Sequence, residues 1–358
     1  MGWGFDLAWA QRVRDADSED AGRLCLYSLD VASSTTPRLL DRVLDLAIAP
    51  GFSKLGYAAR SRAFEPLPNA DGKEVVITGA SAGLGRSAAR MCAAAGASVT
   101  MISRSRQRAS DAIREVTEAA AAAGSGVVRF EECDMSDLAD VRRLGALLSK
   151  SLGGVDALVL NAGVLLHERS ITEDGLELAW ATNVVGPYLL EHLMMGNLTS
   201  AKGRVVMVTS GGAYSEGLAL PEADLAGDSY DGAAVYARTK RAQIALAQLQ
   251  SAQLAEAGVT VHAVHPGWAD TPGVQSSLPT FRKLTKPFLR SADEGADSIA
   301  WLALASEPLE NAGQLWHDRK IRPRHKLPGQ AESDSARAEL DAELRRLSGV
   351  TGHQGVPG

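Results

Sequence analysis

The residues best equipped for chemistry fall into two groups. Thr78-Gly79-Ala80-Ser81-Ala82-Gly83-Leu84-Gly85 follows a β-branched run and opens a stretch with helical spacing. Glycines there let the backbone turn tightly and approach a pyrophosphate, whose charge a helix N-terminus favours. The chain holds 35 glycines, so an ordinary glycine turn stays open as the reading of this segment alone. The second group is Tyr236 and Lys240, four apart and so on one face of a helix. A free tyrosine titrates at about 10, too high for acid–base work near neutral pH, and a neighbouring ammonium favours its phenolate. Such a pair is equally compatible with two plain helix neighbours. Ser210, ending Val208-Thr209-Ser210, reads also as a turn residue, and Asn183 as a helix residue bonding locally. Asn161-Ala162-Gly163 reads also as a strand-to-loop turn. His262 and His265 lie three apart without a third ligand at sensible spacing, so a structural role is expected and no metal.

Positioning these groups falls to a repeating pattern that begins after the breaker cluster Pro66-Leu67-Pro68-Asn69-Ala70-Asp71-Gly72. Strands are expected at 74–78, 98–103, 127–131, 157–161, 204–209, 260–265 and 313–316. Helices are expected near 84–95, 106–123, 136–151, 174–198, 234–257 and 292–305. Near-continuous apolar runs such as Val205-Val206-Met207-Val208 fit strands buried on both faces of a parallel sheet. The alternation implies right-handed crossovers and an α/β, doubly wound fold of about seven strands. The expected organisation is an extension over 1–70, a dinucleotide-binding domain over 71–320 and a tail over 321–358. Within the extension, residues 11–37 show no sustained period, and 1–36 is expected to be poorly ordered. A helix is expected from Arg38 to Ala49, ending before Pro50-Gly51, within a helical stretch at 38–64. The tail is expected to be polar, with one surface helix and a frayed glycine-rich end.

Composition excludes several classes. Hydrophobic residues make up 45% of the 358, ample for a core and too many for a disordered chain. Lys and Arg total 37 against 43 acidic residues, a net charge of −6 with no long basic stripe, so nucleic acid is not an expected partner. No apolar run approaches the roughly 18 residues that span a bilayer. Asp6 falls where a secretory signal needs apolar residues and where myristoylation wants Ser or Thr. Cys25, Cys92 and Cys133 form no paired framework, which points to reduced thiols in an intracellular, cytoplasmic setting.

Taken together the motifs resemble the short-chain dehydrogenase/reductase family. Three residues separate Gly79 from Gly83 and one separates Gly83 from Gly85, the family's Thr-Gly-x-x-x-Gly-x-Gly spacing. Asp134, Asn161-Ala162-Gly163, Asn183, Ser210, Tyr236-x-x-x-Lys240 and Pro266-Gly267 follow in the family's order. The resemblance covers about residues 71–320 and implies a Rossmann-type fold with a dinucleotide at the C-terminal strand edge. It assigns the cofactor to Thr78, Gly79, Ser81, Gly83, Leu84, Gly85, Ser103, Arg104, Asp134, Met135, Asn161, Ala162, Gly163, Tyr236, Lys240, Pro266 and Gly267. It makes Tyr236 the proton carrier between carbonyl and alcohol, Ser210 the holder of the substrate oxygen, and Lys240 a ligand of the nicotinamide ribose. Asn183 would anchor a water in a proton relay, and Asp134 would contact the adenine.

Asp174-Gly175-Leu176-Glu177, Ser210-Gly211-Gly212, the run from His265 to Val274 and Asp318-Arg319-Lys320 resemble the retinol-dehydrogenase-like branch. Within it the similarity is greatest to the member-12 subgroup of dehydrogenases/reductases, which also carries a helical extension resembling residues 51–66. That resemblance implies a lipophilic retinoid-, steroid- or lipid-like substrate. NADP(H) is expected over NAD(H): strand two ends Ile102-Ser103-Arg104-Ser105-Arg106, with no carboxylate for a ribose hydroxyl and with guanidiniums suited to a phosphate. Opening a solvated helix is the alternative role for those arginines. The 26-residue interval from Ser210 to Tyr236 carries Glu216, Glu222, Asp224, Asp228 and Asp231, and a solvated loop without catalytic part is expected. Trp268 and Trp301 are divided between the substrate side and the core. The extension at 38–64 docks on the domain or lies on a membrane surface, with docking favoured because Asp41 and Asp45 interrupt its apolar face. A homo-oligomer stays open. The rival from another class is a cofactor-binding sensor or scaffold without useful turnover.

Overall fold

The computed structural model describes residues 48–351, apart from 226–228, 278 and 327–330. The expectations for residues 1–47, including Cys25 and most of the helix sought at 38–49, lie outside the described residues, as does Asp228.

Eight strands form one sheet in the order β3-β2-β1-β4-β5-β6-β7-β8. They are β1 (Glu74–Thr78), β2 (Ser98–Ser103), β3 (Val128–Glu132), β4 (Ala157–Leu160), β5 (Arg204–Val208), β6 (Thr260–Val264), β7 (Leu315–His317) and β8 (Lys320–Arg322). β1 to β7 pair in parallel. β8, which the strand pattern did not foretell, turns back antiparallel on β7. Its two-residue turn places Asp318 and Arg319 at φ 52° and 55°, the left-handed geometry of a type I′ hairpin. Side-chain contacts hold it there: Arg319 pairs with Asp297 at 2.8 Å, and its amide donates to Ser298 Oγ at 3.1 Å.

Helices cover both faces, so each sheet face meets its own core. α1 (Ile48–Phe52) and α2 (Lys54–Arg60) precede the sheet. α3 (Gly83–Ala94), α4 (Arg106–Ala123) and α11 (Ala292–Leu304) cover the face carrying Val75, Ile77 and Val206. The opposite face packs under α5 (Leu138–Ser151), α6 (Gly186–Leu193), α7 (Met195–Ala201) and α8 (Gly232–Gln253). α9 (Pro272–Ser277) and α10 (Pro279–Thr285) follow β6, and α12 (Asp334–Ser348) closes the chain.

Four expectations need correction. The helix sought up to Ala49 does not stop before Pro50-Gly51; α1 runs through both, because Pro50 lacks only the amide and its carbonyl still accepts from the Ser53 amide at 3.3 Å. The long helix sought at 174–198 starts with a turn at Leu178–Trp180 and passes through a π-helical turn at Ala181–Val185 before α6. The boundary at 320 cuts into β8, and the tail's helix is no mere surface element. α12 buries Leu340 and Leu344, and Tyr188 on α6 donates to Asp341 Oδ1 at 2.7 Å. Of the two readings left open for Trp301, the structure takes the core, edge-on to Trp316.

Candidate active site

The parallel strands end at one edge, and between β1 and β4 the strand order reverses. Ligands of doubly wound sheets sit at such a switch point. β1 ends at Thr78, whose Oγ accepts from the amides of Asn161 and Ala162, each at 3.0 Å. Asn161 Nδ2 donates back to the carbonyls of Thr78 and Gly79 at 2.9 and 3.2 Å. The Asn161-Ala162-Gly163 turn thus braces the glycine loop against β4. Gly79 sits at φ 67°, and a Cβ on it would come 2.9 Å from Ala162 Cα. On Gly85 a Cβ would come 2.4 Å from the Gly79 carbonyl, so the tight turn requires both glycines. Gly83 opens α3 at φ 54° beside Thr271, and Leu84 packs toward Gly295. Ser81 is partly exposed in the same turn.

The edge continues along β2 and β3. Ser103 Oγ is buried without a partner among the described residues, a polar atom that a sugar hydroxyl would satisfy. Arg104 is exposed and makes no hydrogen bond or ion pair among the described residues, so its guanidinium is available to an anion. Arg106 is committed elsewhere: it donates to the Phe130 carbonyl at 2.7 Å and lies over the Phe130 ring. Asp134 Oδ1 accepts from the amide and hydroxyl of Ser136, and Met135 is buried beside it. Gly186 is held against Met135, since a Cβ there would fall 1.9 Å from the Met135 carbonyl. The braced glycines, the unpartnered Ser103 hydroxyl and the free Arg104 fit a dinucleotide.

The candidate acid–base residues assemble from β5, α8 and the π-turn. Thr209 Oγ donates to the Lys240 carbonyl at 2.7 Å, clamping α8 over the end of β5. Lys240 Nζ donates to the Val208 carbonyl at 2.8 Å and to Gln243 Oε1 at 3.2 Å. It lies 5.6 Å from the Tyr236 ring centroid, as the i, i+4 spacing anticipated. Gln243 Nε2 in turn donates to the Asn183 carbonyl at 2.8 Å, within the π-turn. Such turns shift one residue out of helical register and often mark functional sites. Asn183 Nδ2 donates to Thr239 Oγ1 and to the Val164 carbonyl at 2.9 and 3.0 Å, while its Oδ1 accepts from the Val164 amide at 2.8 Å. A Cβ on Gly163 would stand 3.3 Å from both Asn183 Oδ1 and Lys240 Nζ, so these groups border one space. Gln243 was not singled out from the sequence; a polar residue three past the lysine on the same helix face was the available signal.

Burial drives the electrostatics here. It pushes the Tyr236 phenol up, opposed by the hydrogen bond with Ser210. It pushes Lys240 down to about 7, since both partners of that ammonium are neutral. Ser210 Oγ accepts from the Gly212 amide at 3.3 Å, at the head of a 3₁₀ turn, Gly211–Tyr214. Pro266-Gly267 ends the β6 connection, with Gly267 at φ 80° and Arg290 where its Cβ would be.

The acidic interval is not the solvated loop expected. Asp224 is buried, accepts from Trp180 Nε1 at 2.9 Å and pairs with Arg238, which also meets Glu216. Asp231 caps α8 through the amides of Ala233 and Ala234. Two carboxylates therefore fix the loop near Tyr236 and one starts its helix. His262, buried and held down to about 4, lies within hydrogen-bond reach of Trp316 Nε1 through its Nδ1.

Comparison with known proteins agrees with this architecture. A family model described as short chain dehydrogenase matches residues 73–280. Dehydrogenase/reductase SDR family member 12 from Bos taurus is 32% identical over 300 residues, covering 82% of this chain and 92% of the relative. Retinol dehydrogenase 13 from Mus musculus is 30% identical over 313 residues, covering 85% and 90%. A crystal structure of a Mycobacterium paratuberculosis protein superposes with a TM-score of 0.63 at 26% identity, covering 79% of this chain and 96% of that one. The chain belongs to the short-chain dehydrogenase/reductase family, in its retinol-dehydrogenase-like branch.

Proposed function

We propose that the protein is an NADP(H)-dependent oxidoreductase interconverting a lipophilic carbonyl and its alcohol. The convergence of Tyr236, Lys240, Ser210 and Asn183 on one sheet edge beside the braced glycine loop carries this reading. A bound nicotinamide dinucleotide supplies or accepts the hydride. Held by Thr78, Gly79, Ser81, Gly83, Leu84 and Gly85 at one end, the dinucleotide would meet Ser103, Arg104, Asp134 and Met135 at its adenosine end. Asn161, Ala162, Gly163, Pro266 and Gly267, which follow β4 and β6 on the other side of β1, would line its nicotinamide half.

The chain's own groups then manage one proton and one oxygen. Ser210 donates a hydrogen bond to the substrate oxygen and fixes it beside the Tyr236 hydroxyl. Tyr236 gives its proton to the alkoxide oxygen in reduction and takes it from the alcohol in oxidation. A charged Lys240 lowers the cost of the phenolate and donates to ribose hydroxyls. Asn183, whose amide hydrogens are taken by Thr239 and Val164, would hold through an acceptor oxygen the water that returns the proton to Tyr236.

Arg104 supports the NADP(H) preference because it is a guanidinium free to clamp a phosphate, where an NAD site would place a carboxylate. The lipophilic substrate class rests on the branch, whose relatives include enzymes named retinol dehydrogenase. No helix among the described residues is long and apolar enough to cross a membrane. The test is a panel of retinoid, steroid and fatty aldehydes, ketones and alcohols with NADPH and NADP⁺, followed by nicotinamide absorbance. Turnover of at least one lipophilic carbonyl is expected. Cofactor binding with no turnover across the panel would favour the sensor.

A further inference from the structure

The segment ahead of the sheet reaches the same edge, although it lies outside the stretch that matches the family model. Its anchor is a buried ionic knot. Arg290 forms a bidentate pair with Asp318 at 2.5 and 2.9 Å, and Arg60 reaches the same carboxylate at 2.9 Å. All three are buried, so each charge depends on the others. Both arginines also donate to the extension's backbone. Arg290 donates to the carbonyls of Gly51 and Ser53, each at 3.1 Å, and Arg60 to that of Gly51 at 3.0 Å. The Trp268 amide donates to the Phe52 carbonyl at 2.9 Å.

This anchoring drives the Phe52 ring into the space behind Ser210. The ring stands edge-on to His265 at 4.2 Å, to His317 at 5.2 Å and to Trp268 at 6.2 Å, and it stacks on Tyr214 at 6.3 Å. Phe52 Cε2 and His265 Nε2 lie 3.4 and 3.1 Å from where a Cβ of Gly211 would stand. Gly211 and Tyr214 are the ends of the 3₁₀ turn headed by Ser210. On its far side that turn is pinned by Tyr214, whose hydroxyl donates to the Pro323 carbonyl at 2.8 Å. The turn is therefore wedged between the segment ahead of β1 and the segment just after β8, with Phe52 filling the middle.

We infer that Phe52 is a positioning residue for the Ser210 turn, so that the extension completes the acid–base site instead of decorating the domain. The inference rests on the oxidoreductase reading of Ser210 and Tyr236. Removing the ring leaves Gly211, His265 and Tyr214 without their common packing partner, and the turn gains freedom. Ser210 then holds the substrate oxygen and the Tyr236 hydroxyl less firmly. The glycine loop of β1 and α3 has no contact with Phe52 among the described residues and stays as it is.

The experiment compares wild type, Phe52→Ala, Phe52→Leu and Leu55→Ala in the full chain. Leu55 lies on α2, is 57% exposed and serves as the control. In Phe52→Ala, kcat should fall by about tenfold or more, since small misplacements of reacting groups cost that much, while NADPH affinity holds. Because the Ser210 hydrogen bond favours the phenolate, its loosening should move the acid limb of alcohol oxidation to higher pH. Amide exchange across 210–214 should quicken, with 79–85 unchanged. Phe52→Leu should fall between wild type and Phe52→Ala, and it decides the matter if the alanine variant fails to fold. Wild-type kcat and pH profile with unaltered exchange in the turn would overturn the inference. So would a loss spread equally to NADPH affinity and the glycine loop. If wild type turns over no carbonyl, the oxidoreductase reading fails, and the exchange contrast alone decides whether Phe52 holds the turn.

Discussion

Lys240 is a lysine that the folded chain holds at a cost. Burial pushes its ammonium from 10.5 down to about 7, and its two hydrogen-bond partners, the Val208 carbonyl and Gln243, carry no charge. The unfolded chain binds this proton up to the ordinary lysine value, whereas the folded chain releases it near neutrality. Between those values the unfolded state binds more protons, so stability rises with pH through the window. The penalty is complete below about 7 and gone above the ordinary lysine value. Taken across that whole window, at about 1.4 kcal/mol for each pH unit, it amounts to about 5 kcal/mol. Lys240→Met keeps the length of the side chain and removes the titration, but gives up two hydrogen bonds worth about 1 kcal/mol each. The cofactor-free variant should therefore be more stable than wild type by about 3 kcal/mol at pH 6, on the same constants. That advantage should shrink above pH 7, vanish at about pH 9 and reverse to about 1 kcal/mol in favour of wild type at pH 10. Urea denaturation at pH 6, 8 and 10 measures the difference directly. A difference independent of pH would refute the argument, because only a depressed lysine generates the slope. The same substitution should abolish turnover, as expected where function retains a strained group.

Three further outcomes follow from the geometry. Arg104→Ala should weaken NADPH binding by about tenfold, the scale of a lost charge-assisted contact, and leave NADH binding alone; fluorescence titration with both cofactors checks it. Asp318→Asn should cost about 3–5 kcal/mol in urea denaturation, because it strands the buried Arg290 and Arg60. Gly163→Ala should depress kcat more than NADPH affinity, since the added methyl would crowd Asn183 Oδ1 and Lys240 Nζ from 3.3 Å; steady-state kinetics with a cofactor titration separates the two.

The strands that carry the site were legible because parallel strands buried on both faces read as apolar runs; 74–78 and 98–103 coincide with β1 and β2. Ends slipped by a residue or two elsewhere, as for β3, where Val127 is exposed and pairing starts at Val128. The grouping of Tyr236 with Lys240 was legible from helical spacing alone. What stayed hidden depended on contacts between distant residues. β8 is three residues long and two of them are exposed, so no pattern announces it. Docking of the extension was the favoured reading, but its anchors were not legible, since the backbone carbonyls of Gly51, Phe52 and Ser53 leave no trace in side-chain type. Asp224 looked like its acidic neighbours because the Trp180 indole that buries it lies forty-four positions away. The π-turn around Asn183 was likewise hidden, since Gln243, its carbonyl's partner, sits on another helix.

The central claim is that Tyr236 carries the proton that accompanies hydride transfer. Tyr236→Phe keeps the ring on α8 beside Lys240 and removes the dissociable proton. Single-turnover reduction of a carbonyl that wild type accepts should slow by about 10²–10⁴-fold in this variant, the usual contribution of a general acid. NADPH binding, titrated on the same preparation, should match wild type. Wild-type turnover in Tyr236→Phe, with NADPH binding intact, would contradict the account.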